Sequence, residues 1–563
     1  MTFSSQPPFL PKSLVLALIL SLETMVAHAA SPVDAGSLLQ ELQPSIRPAP
    51  VTTQPALQMQ APGRSTLPAS LPFVVKRFLI TGNTVFDSAR LHTLLADQEG
   101  KELTLLQLDE VAARITRYYQ DHGFPLARAV IPAQTISNGE VLIRVVEARY
   151  GKVTLNNSSQ VQDGLLAATL SPLQTNQAIA GAQLDRTLLL LSDIPGAQVN
   201  AVLKPGATVG SSDMQVDITP AAVNHGNVEL DNYGNRYVGR ARLGVSGNLV
   251  NPFQHGDILT GNIVSTGERM NYGRLAYDTL LNGQGTRAGG AYSMVGYKLG
   301  DSVSDLDAHG TASVASLWLK QPLVRSKQVN LYGQLQYDAK QLRDHIDASS
   351  LRTDRNLDNW VFSLSGDFRD TLLVGSINAW SLGVTAGRVA FRDAAAEASD
   401  QSSVQTAGRF SKWNLNFSRL QGLTSRDALY FNVAAQWADS NLDSAEKMTI
   451  GGPYSVRAYD VGAISGDIGY LGSVEWRHDL GMLIGGKMQL LTFVDAAHVT
   501  VNKHTWSTGS NSATLSGAGV GVNWYGADQW KLSAVLASRM GSKPDLVTNS
   551  AATRAWLVAS KGF

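Results

Sequence analysis

Apolar and polar positions change rhythm several times along this chain. Lys12 precedes an unbroken, mainly apolar run, Ser13 to Leu22, and Ala27-His28-Ala29 follows it. A basic flank, a short apolar stretch and a small-x-small tripeptide read as a secretory signal peptide, residues 1–29, cut after Ala29. The run is too short to cross about 30 Å of hydrocarbon, and no other segment reaches the length of a transmembrane helix. Residues 30–72 hold one short helical pattern, Gly36 to Leu42. Pro44, Pro48, Pro50, Pro55, Pro62, Pro68 and Pro72 then interrupt any periodicity, which predicts an extended spacer.

From Phe73 the pattern becomes regular. Phe73 to Ile80 is rich in β formers and stops at Gly82-Asn83. Ser88 can cap a helix reaching about Glu99, with Gly100 past its end. Thr104 and Gln107 make a T-x-x-Q capping box. Behind it Leu108, Val111, Ile115 and Tyr118 recur at helical spacing, and Gly123 and Pro125 end the element. Ala127–Ala133 and Val141–Val146 read as strands joined through Ser137-Asn138-Gly139. Residues 149–220 repeat the order more loosely: a strand at Lys152–Leu155, helices at Val161–Leu170 and Gln183–Leu191, then strands at Val199–Leu203 and Met214–Ile218. Two tandem β-α-α-β-β units, 73–148 and 149–220, are therefore expected.

Beyond 220 helical periodicity disappears. Short alternating stretches separated by Asn, Gly, Asp and Ser clusters run to the C-terminus, where Leu557 and Ala559 alternate toward a terminal Phe563. The tract 221–563 would supply 16 strands at about 21 residues each, connection included, where a membrane strand needs ~9–11, and fourteen or eighteen strands fit the same arithmetic. The length without internal domain breaks and the aromatic-ended final strand stand against a soluble sandwich array, and composition fits a barrel. Charged residues are only 16% and glycines number 51 of 563, yet mean hydropathy is −0.05. Alternating strands average to that value. Lys and Arg balance Asp and Glu at 46 each, which argues against a nucleic-acid partner. With no cysteine there is no disulfide, thiolate metal site or Cys nucleophile. An exported chain without a membrane helix can span lipid only as a closed barrel.

Several blocks then carry a resemblance. ITGNTVF (Ile80–Phe86), ITRYYQDHGFPLARAVIPAQ (Ile115–Gln134), GEVLIRVVEA (Gly139–Ala148) and LLLLSDIPGAQV (Leu188–Val199) are followed by GDIL (Gly256–Leu259) and QPLVRSKQVNLY (Gln321–Tyr332). NLDSAEKMTIGGPYSVRAYD (Asn441–Asp460), GDIGYLGSVEWRHDL (Gly466–Leu480) and FVDAA (Phe493–Ala497) come later. Together they resemble the outer-membrane transporters of two-partner secretion, the ShlB/FhaC/HecB family, over essentially everything from Phe73 onward. The resemblance implies a signal peptide (1–29), a plug helix and linker (30–72), two periplasmic POTRA domains (73–148 and 149–220) and a 16-strand antiparallel barrel (221–563). It also implies a sixth loop folded inward near 449–465. Its function would be recognition and ATP-independent export of one large partner exoprotein through that protein's N-terminal secretion domain. Haemolysins, adhesins and contact-dependent toxins are the cargo types. The implied surroundings are outer-membrane lipid, and the barrel assembly machinery during biogenesis. A BamA/TamA-like insertase is the alternative, but that family carries three or more POTRA domains and only two fit here.

The most specific motif is Val456-Arg457-Ala458-Tyr459, similar to the family's VRGY, with Phe493-x-Asp495 following. A guanidinium carried into a lumen needs a carboxylate. Phe493 and Asp495 alternate to the same side, so Asp495 is the candidate partner, through a directional fork. Ala458 and Ala497 stand where the family pattern has glycine, which puts the closeness of that packing in question. No H-E-x-x-H, G-x-S-x-G or P-loop occurs, so no catalytic, cofactor or metal residues are assigned. His498 and His504, the closest histidine pair in sequence, are read as surface residues.

Overall fold

The computed structural model describes residues 33–42, 56–59, 70–221, 224–549 and 551–563. The signal-peptide reading lies outside the described residues. Helix α1 (Ala35–Leu42) and strand β1 (Ala56–Met59) precede the first α/β unit. That unit comprises β2 (Phe73–Val74), β3 (Arg77–Thr81), α2 (Ser88–His92), β4 (Glu102–Leu103), α3 (Leu105–Asp121), β5 (Arg128–Val130) and β6 (Glu140–Val146). Its sheet runs β3-β6-β5, with β3 parallel and β5 antiparallel to β6. Helix α3 starts at the Thr104–Gln107 capping box and buries Leu108, Val111, Ile115 and Tyr119 against the sheet.

Two local readings need correction. The run from Phe73 is two strands, because Lys76 and Arg77 both donate backbone N–H groups to the Gly139 carbonyl. Asp87, not Ser88, is the N-cap of α2, and the helix stops at His92 rather than near Glu99. Glu99 is extended, and its carboxylate turns back to accept the Phe78 N–H at 3.0 Å.

The second unit is β7 (Arg149–Asn157), α4 (Asp163–Leu170), α5 (Gly181–Ser192), β8 (Ala197–Pro205) and β9 (Ser211–Pro220). Its sheet order is β1-β8-β9-β7. The linker thus contains a strand that its proline spacing hides. No proline falls within Ala56–Met59, so backbone pairing is open to it. It runs parallel to β8, with Leu57 packed on the core of the second unit.

The remainder is a closed antiparallel barrel. Its first strands are β10 (Asn224–Asp231), β11 (Arg242–Val250), β12 (Ile258–Ser265), β13 (Met270–Leu280) and β14 (Arg287–Lys298). Then come β15 (Ala308–Arg325), β16 (Val329–Ile346), β17 (Leu351–Asp370), β18 (Ser376–Phe391), β19 (Gly408–Gly422) and β20 (Asp427–Ala438). A short hairpin, β21 (Met448–Ile450) with β22 (Ile464–Gly466), lies in the connection that follows. The wall resumes with β23 (Ile468–Leu483), β24 (Gly486–Thr500), β25 (Ser512–Gly526), β26 (Trp530–Arg539) and β27 (Thr553–Gly562). Alternation sorts the faces. Leu317, Leu335, Trp360, Phe362, Val474, Val520 and Leu557 are exposed on the outer wall. Lys340, Arg355, Asn359, Lys412, Gln436, Glu475 and Asp495 are buried inside. An apolar exterior around a polar lumen suits a bilayer. The cylinder closes where Asn227–Asp231 pair with Val558–Gly562, and Gly226 and Phe563 exchange a further pair of backbone hydrogen bonds.

The second unit seats on the mouth of the barrel nearest the chain's entry. Arg325, at the end of β15, donates from Nε and Nη2 to both oxygens of Asp193, at 2.6 and 2.7 Å. Asn330 accepts a third bond from the same guanidinium at 2.8 Å. Lys327 pairs with Asp185 of α5 at 2.7 Å. Pro322 lies at the β-bulge just before Arg325, where the missing N–H does least harm to the ladder.

Candidate functional site in the barrel lumen

The connection between β20 and β23, residues 439–467, is the sixth on the barrel's far side and folds into the lumen. Gly451 and Gly452 take φ of +108° and +101°, a region that disfavours side chains. A Cβ on Gly451 would also collide with the Asp460 carbonyl. This double glycine turns the loop and delivers Val456, Arg457, Ala458 and Tyr459 to the wall. All but Arg457 are 3% exposed or less.

Arg457 is bonded on every side. Nε and Nη2 donate to the two oxygens of Asp495 at 3.0 and 2.9 Å, and its backbone N–H donates to Asp495 at 3.1 Å. Nη1 reaches Glu475 at 2.6 Å, and Nη2 also reaches Ser473 at 3.2 Å. The guanidinium lies 3.3 Å from the Phe493 ring centroid, and Trp556 Nε1 donates to the Arg457 carbonyl at 2.7 Å. The register explains the convergence. Ser473 faces Asp495 and Glu475 faces Phe493 across β23 and β24, all at inward positions. Two carboxylates and an aromatic face offset the desolvation of one cation.

The two alanines are accommodated by the wall. Ala458 presses on Gly517 of β25, directly opposite Asp495 in register, and a Cβ on Gly517 would collide with the Ala458 methyl. In this chain the glycine that permits the close approach lies on the strand, at Gly517. Ala497 is buried with Val456 and Tyr459 in one apolar cluster. Asp460, next after the motif, accepts from Arg240 at 3.0 Å and from Asn549, and forms an ion pair with Arg554 at 3.1 Å. It therefore joins the loop to both sides of the closing seam.

A second assembly lies in the same lumen. Helix α1 sits inside the barrel, with Ala35, Leu38 and Leu39 packed on Met270, Val295, Leu342, Leu357 and Leu442. Arg355 of β17 is its anchor. It donates to Asp34 at 2.7 Å, to Asp344 of β16 at 2.7 Å, and to Asp443 of loop 6. Ser444 Oγ donates to Asp34 at 2.6 Å, and Gln40 donates to the Ala445 carbonyl. Gly36 is what allows this approach, since a Cβ there would meet Ser444 and Ala445. Glu446 is held by Lys340 at 2.6 Å, Lys412 at 2.9 Å and Asn359 at 2.7 Å.

Sequence reasoning did not single out Glu475, Ser473, Trp556 or Asp460, nor the Arg355 cluster. Strand parity within GSVEWRH could have shown that Ser473 and Glu475 share a face with Asp495. Nothing in one sequence marks Arg355 among the other lumen charges. The histidines that do meet are His309 and His345, across β15 and β16, with ring centroids 5.4 Å apart. Among the described residues no group of three or more His, Cys, Asp or Glu could hold a metal.

Comparison with known proteins decides the family. The model of the haemolysin secretion/activation proteins ShlB/FhaC/HecB matches residues 210–524, more than half of the chain. The chain belongs to that family. A ShlB-type POTRA domain model matches residues 73–148. The haem/haemopexin transporter protein HuxB of Haemophilus influenzae (strain 86-028NP) is 25% identical over 98% of this chain and 99% of its own length. The outer membrane transporter CdiB of Dickeya dadantii (strain 3937) is 23% identical over 76% of this chain and 78% of its own. Among solved structures, CdiB from Escherichia coli aligns with a TM-score of 0.70 at 19% identity, covering 99% of this chain and 100% of that one. BamA from Haemophilus ducreyi aligns at 0.50 and 13% identity over 87% of this chain, a likeness of fold alone. The chain is thus an outer-membrane transporter of two-partner secretion, with its POTRA region in the periplasm and a secreted exoprotein as its partner.

Proposed function

We propose that the transporter carries one large partner in extended form through this lumen, with α1 as the plug that must leave first. The observation that carries this is Arg355, which binds the helix, the wall and loop 6 with one guanidinium. While α1 is seated, its apolar face, the wall and loop 6 form one packed cluster within the lumen. The unit at 149–220 is a second POTRA domain in this reading. The two units receive the partner's N-terminal secretion domain by strand addition at a sheet edge. Arg457 and Asp495 hold loop 6 against the wall during passage. The barrel sits in outer-membrane lipid and reaches it through the barrel assembly machinery. No nucleotide and no catalytic step is required, because folding of the partner outside makes passage directional.

Whole-length likeness to the haem/haemopexin transporter protein HuxB favours a partner connected with haem or haemopexin, and the haemolysin, adhesin and contact-dependent toxin types implied by the family are the second reading. The test compares proteins released by cells with and without this gene. One large exoprotein should vanish from the medium on deletion, and should vanish equally when only residues 73–148 are removed while the barrel remains inserted. Unchanged release in the first case refutes export; unchanged release in the second refutes docking on the first POTRA domain.

A further inference from the structure

Like charges directly opposite one another are unfavourable on a sheet, and the barrel carries one such pair on its outer wall. Arg388 of β18 faces Arg409 of β19 in register, and both side chains are exposed. Among the described residues neither guanidinium has a hydrogen-bond or ion-pair partner. The nearby carboxylates are committed elsewhere. Asp358, opposite Arg388 on β17, accepts from the Tyr337 hydroxyl at 2.8 Å. Asp439 accepts from the Ser411 N–H and from its hydroxyl, both at 2.8 Å. A third exposed arginine, Arg392, stands just past the end of β18.

Height on the wall gives the pair its meaning. The connection from β18 to β19, residues 392–407, lies on the same side of the barrel as loop 6. The POTRA region is periplasmic, so this end faces the cell exterior. Trp360 pairs with Ala386, which places it one side-chain repeat, about 7 Å, below the arginine row. Trp413 and Trp437 face each other one repeat lower. All three indoles are exposed, and the Tyr337 ring lies 5.0 Å from that of Trp360. Outward Trp and Tyr mark the boundary between hydrocarbon and headgroups. Arg388 and Arg409 therefore stand among the headgroups of the outer leaflet.

A cleft of about 570 Å³ adjoins them, between the top of β18 and helix α6 (Ala394–Gln401). Arg388, Glu397, Asp400, Gln401 and Gln405 supply its polar lining. Asp400 is already satisfied by Thr406 and Ala407, and Glu397 accepts from Gln401 at 3.4 Å. Amides and a carboxylate around a cleft suit sugar hydroxyls. Two free guanidinium groups suit a phosphate, which arginine grips through parallel N–H bonds. The apolar wall below suits acyl chains.

We propose that this corner of the wall binds a phosphorylated glycolipid of the outer leaflet, of the lipid A type. One phosphate bridges Arg388 and Arg409 and relieves their repulsion. The sugar enters the cleft beneath α6, and the acyl chains run down past Trp360 and Trp413. Bound lipid thereby joins β18 to β19 from outside, at a place separate from the lumen and from the periplasmic units.

The test uses the purified full-length protein in detergent, with binding read by native mass spectrometry and by intrinsic tryptophan fluorescence. Bisphosphorylated lipid A should bind about tenfold or more tightly than the same lipid stripped of phosphate, the difference expected from charge-assisted hydrogen bonds. Phosphatidylglycerol, which carries phosphate without the sugar, should bind as weakly as the stripped lipid, and inorganic phosphate should not compete. Arg388→Gln with Arg409→Gln should abolish the preference for the phosphorylated form, with heat-modifiable migration checking that the barrel is intact. Lys531→Gln, at the periplasmic end of β26, should leave the preference unchanged. Equal binding of the two glycolipids to the unaltered protein overturns the inference without any variant. An unchanged preference in the double variant overturns it too, as does an equal loss in Lys531→Gln, which would make the effect one of net charge. Phosphatidylglycerol binding as tightly as lipid A, or displacement by inorganic phosphate, overturns the assignment to a glycolipid.

Discussion

Replacing Arg355 by Gln tests the lumen assembly most directly, because it separates attraction from repulsion. One cation, 5% exposed at its side chain, faces Asp34, Asp344 and Asp443. Glutamine fills similar space but leaves three carboxylates together. Removing one side of a buried pair costs about 3–5 kcal/mol. Asp34 is 28% exposed, so water screens part of the field and the lower figure applies. Asp344 stays fixed by the Tyr297 hydroxyl at 2.6 Å, and Asp443 by the Ala445 N–H at 2.9 Å. The relief must come from α1, the one element that can leave. A shift of about 3 kcal/mol corresponds to roughly a hundredfold more unplugged lumen. Asp34→Asn alone loses a charge-assisted bond but also removes one of three like charges, so about 1 kcal/mol is expected. The double variant should then be less open than Arg355→Gln alone. The assay is conductance of the purified proteins in planar bilayers. A closed Arg355→Gln channel, or a double variant more open than Arg355→Gln, would refute the reasoning.

Four further outcomes follow from other contacts. Arg457→Ala and Asp495→Ala should each reduce secretion about tenfold or more with barrel insertion intact, and the double variant should be no worse than either; additive defects would show that the two act separately. Gly517→Ala should impair secretion by pressing on Ala458, and Ala458→Gly should suppress that defect; no suppression would mean the contact is incidental. Arg325→Ala removes a two-pronged bond to Asp193, worth about 1.5 kcal/mol at the low end for charged partners; hydrogen exchange in α5 should quicken, and unchanged exchange would place the seating of the second unit elsewhere. Burial raises the Glu147 carboxyl, but bonds from Thr84, Val85 and Tyr119 outweigh it and hold it below its ordinary 4.5. Its folded-state value is depressed, so its stabilisation is complete above pH 4.5 and disappears as pH falls through that lower value. Hydrogen exchange at Thr84 and Val85 should accelerate over that window in wild type and be fast throughout in Glu147→Gln; a flat profile in wild type would show that the carboxylate does not hold the loop.

What the sequence made legible was periodic or local. The capping box at Thr104 and Gln107 marked α3 because both partners lie within one turn. The barrel showed itself through alternation, which is a property of every strand. Phe493 and Asp495 pointed to one side because the side-chain period of a strand is two. Long-range register stayed hidden. That Gly517 would face Asp495, or Ser473 face it from the other side, depends on how β23, β24 and β25 slide past one another. Strand β1 was hidden for a different reason. Four residues without turn signals or strong alternation carry no signature, and only the waiting edge of β8 makes them a strand.

Loop 6 ties these features into one argument about coupling. Its base, Asp443 to Glu446, holds α1 and is pinned by Arg355, Lys340 and Lys412. Its tip is pinned by Asp495 and Glu475, and Asp460 beside the tip reaches the strands that close the barrel. These anchors lie on different strands, so losing one need not free the other. Base variants should therefore open the pore without loosening the tip, and tip variants should impair transport while α1 stays seated. Conductance and secretion would then separate the two anchors: Arg355→Gln raises the first, and Arg457→Ala lowers the second without raising the first. If Arg457→Ala alone unplugged the lumen, the loop would move as one rigid lever, and the division between base and tip would be wrong.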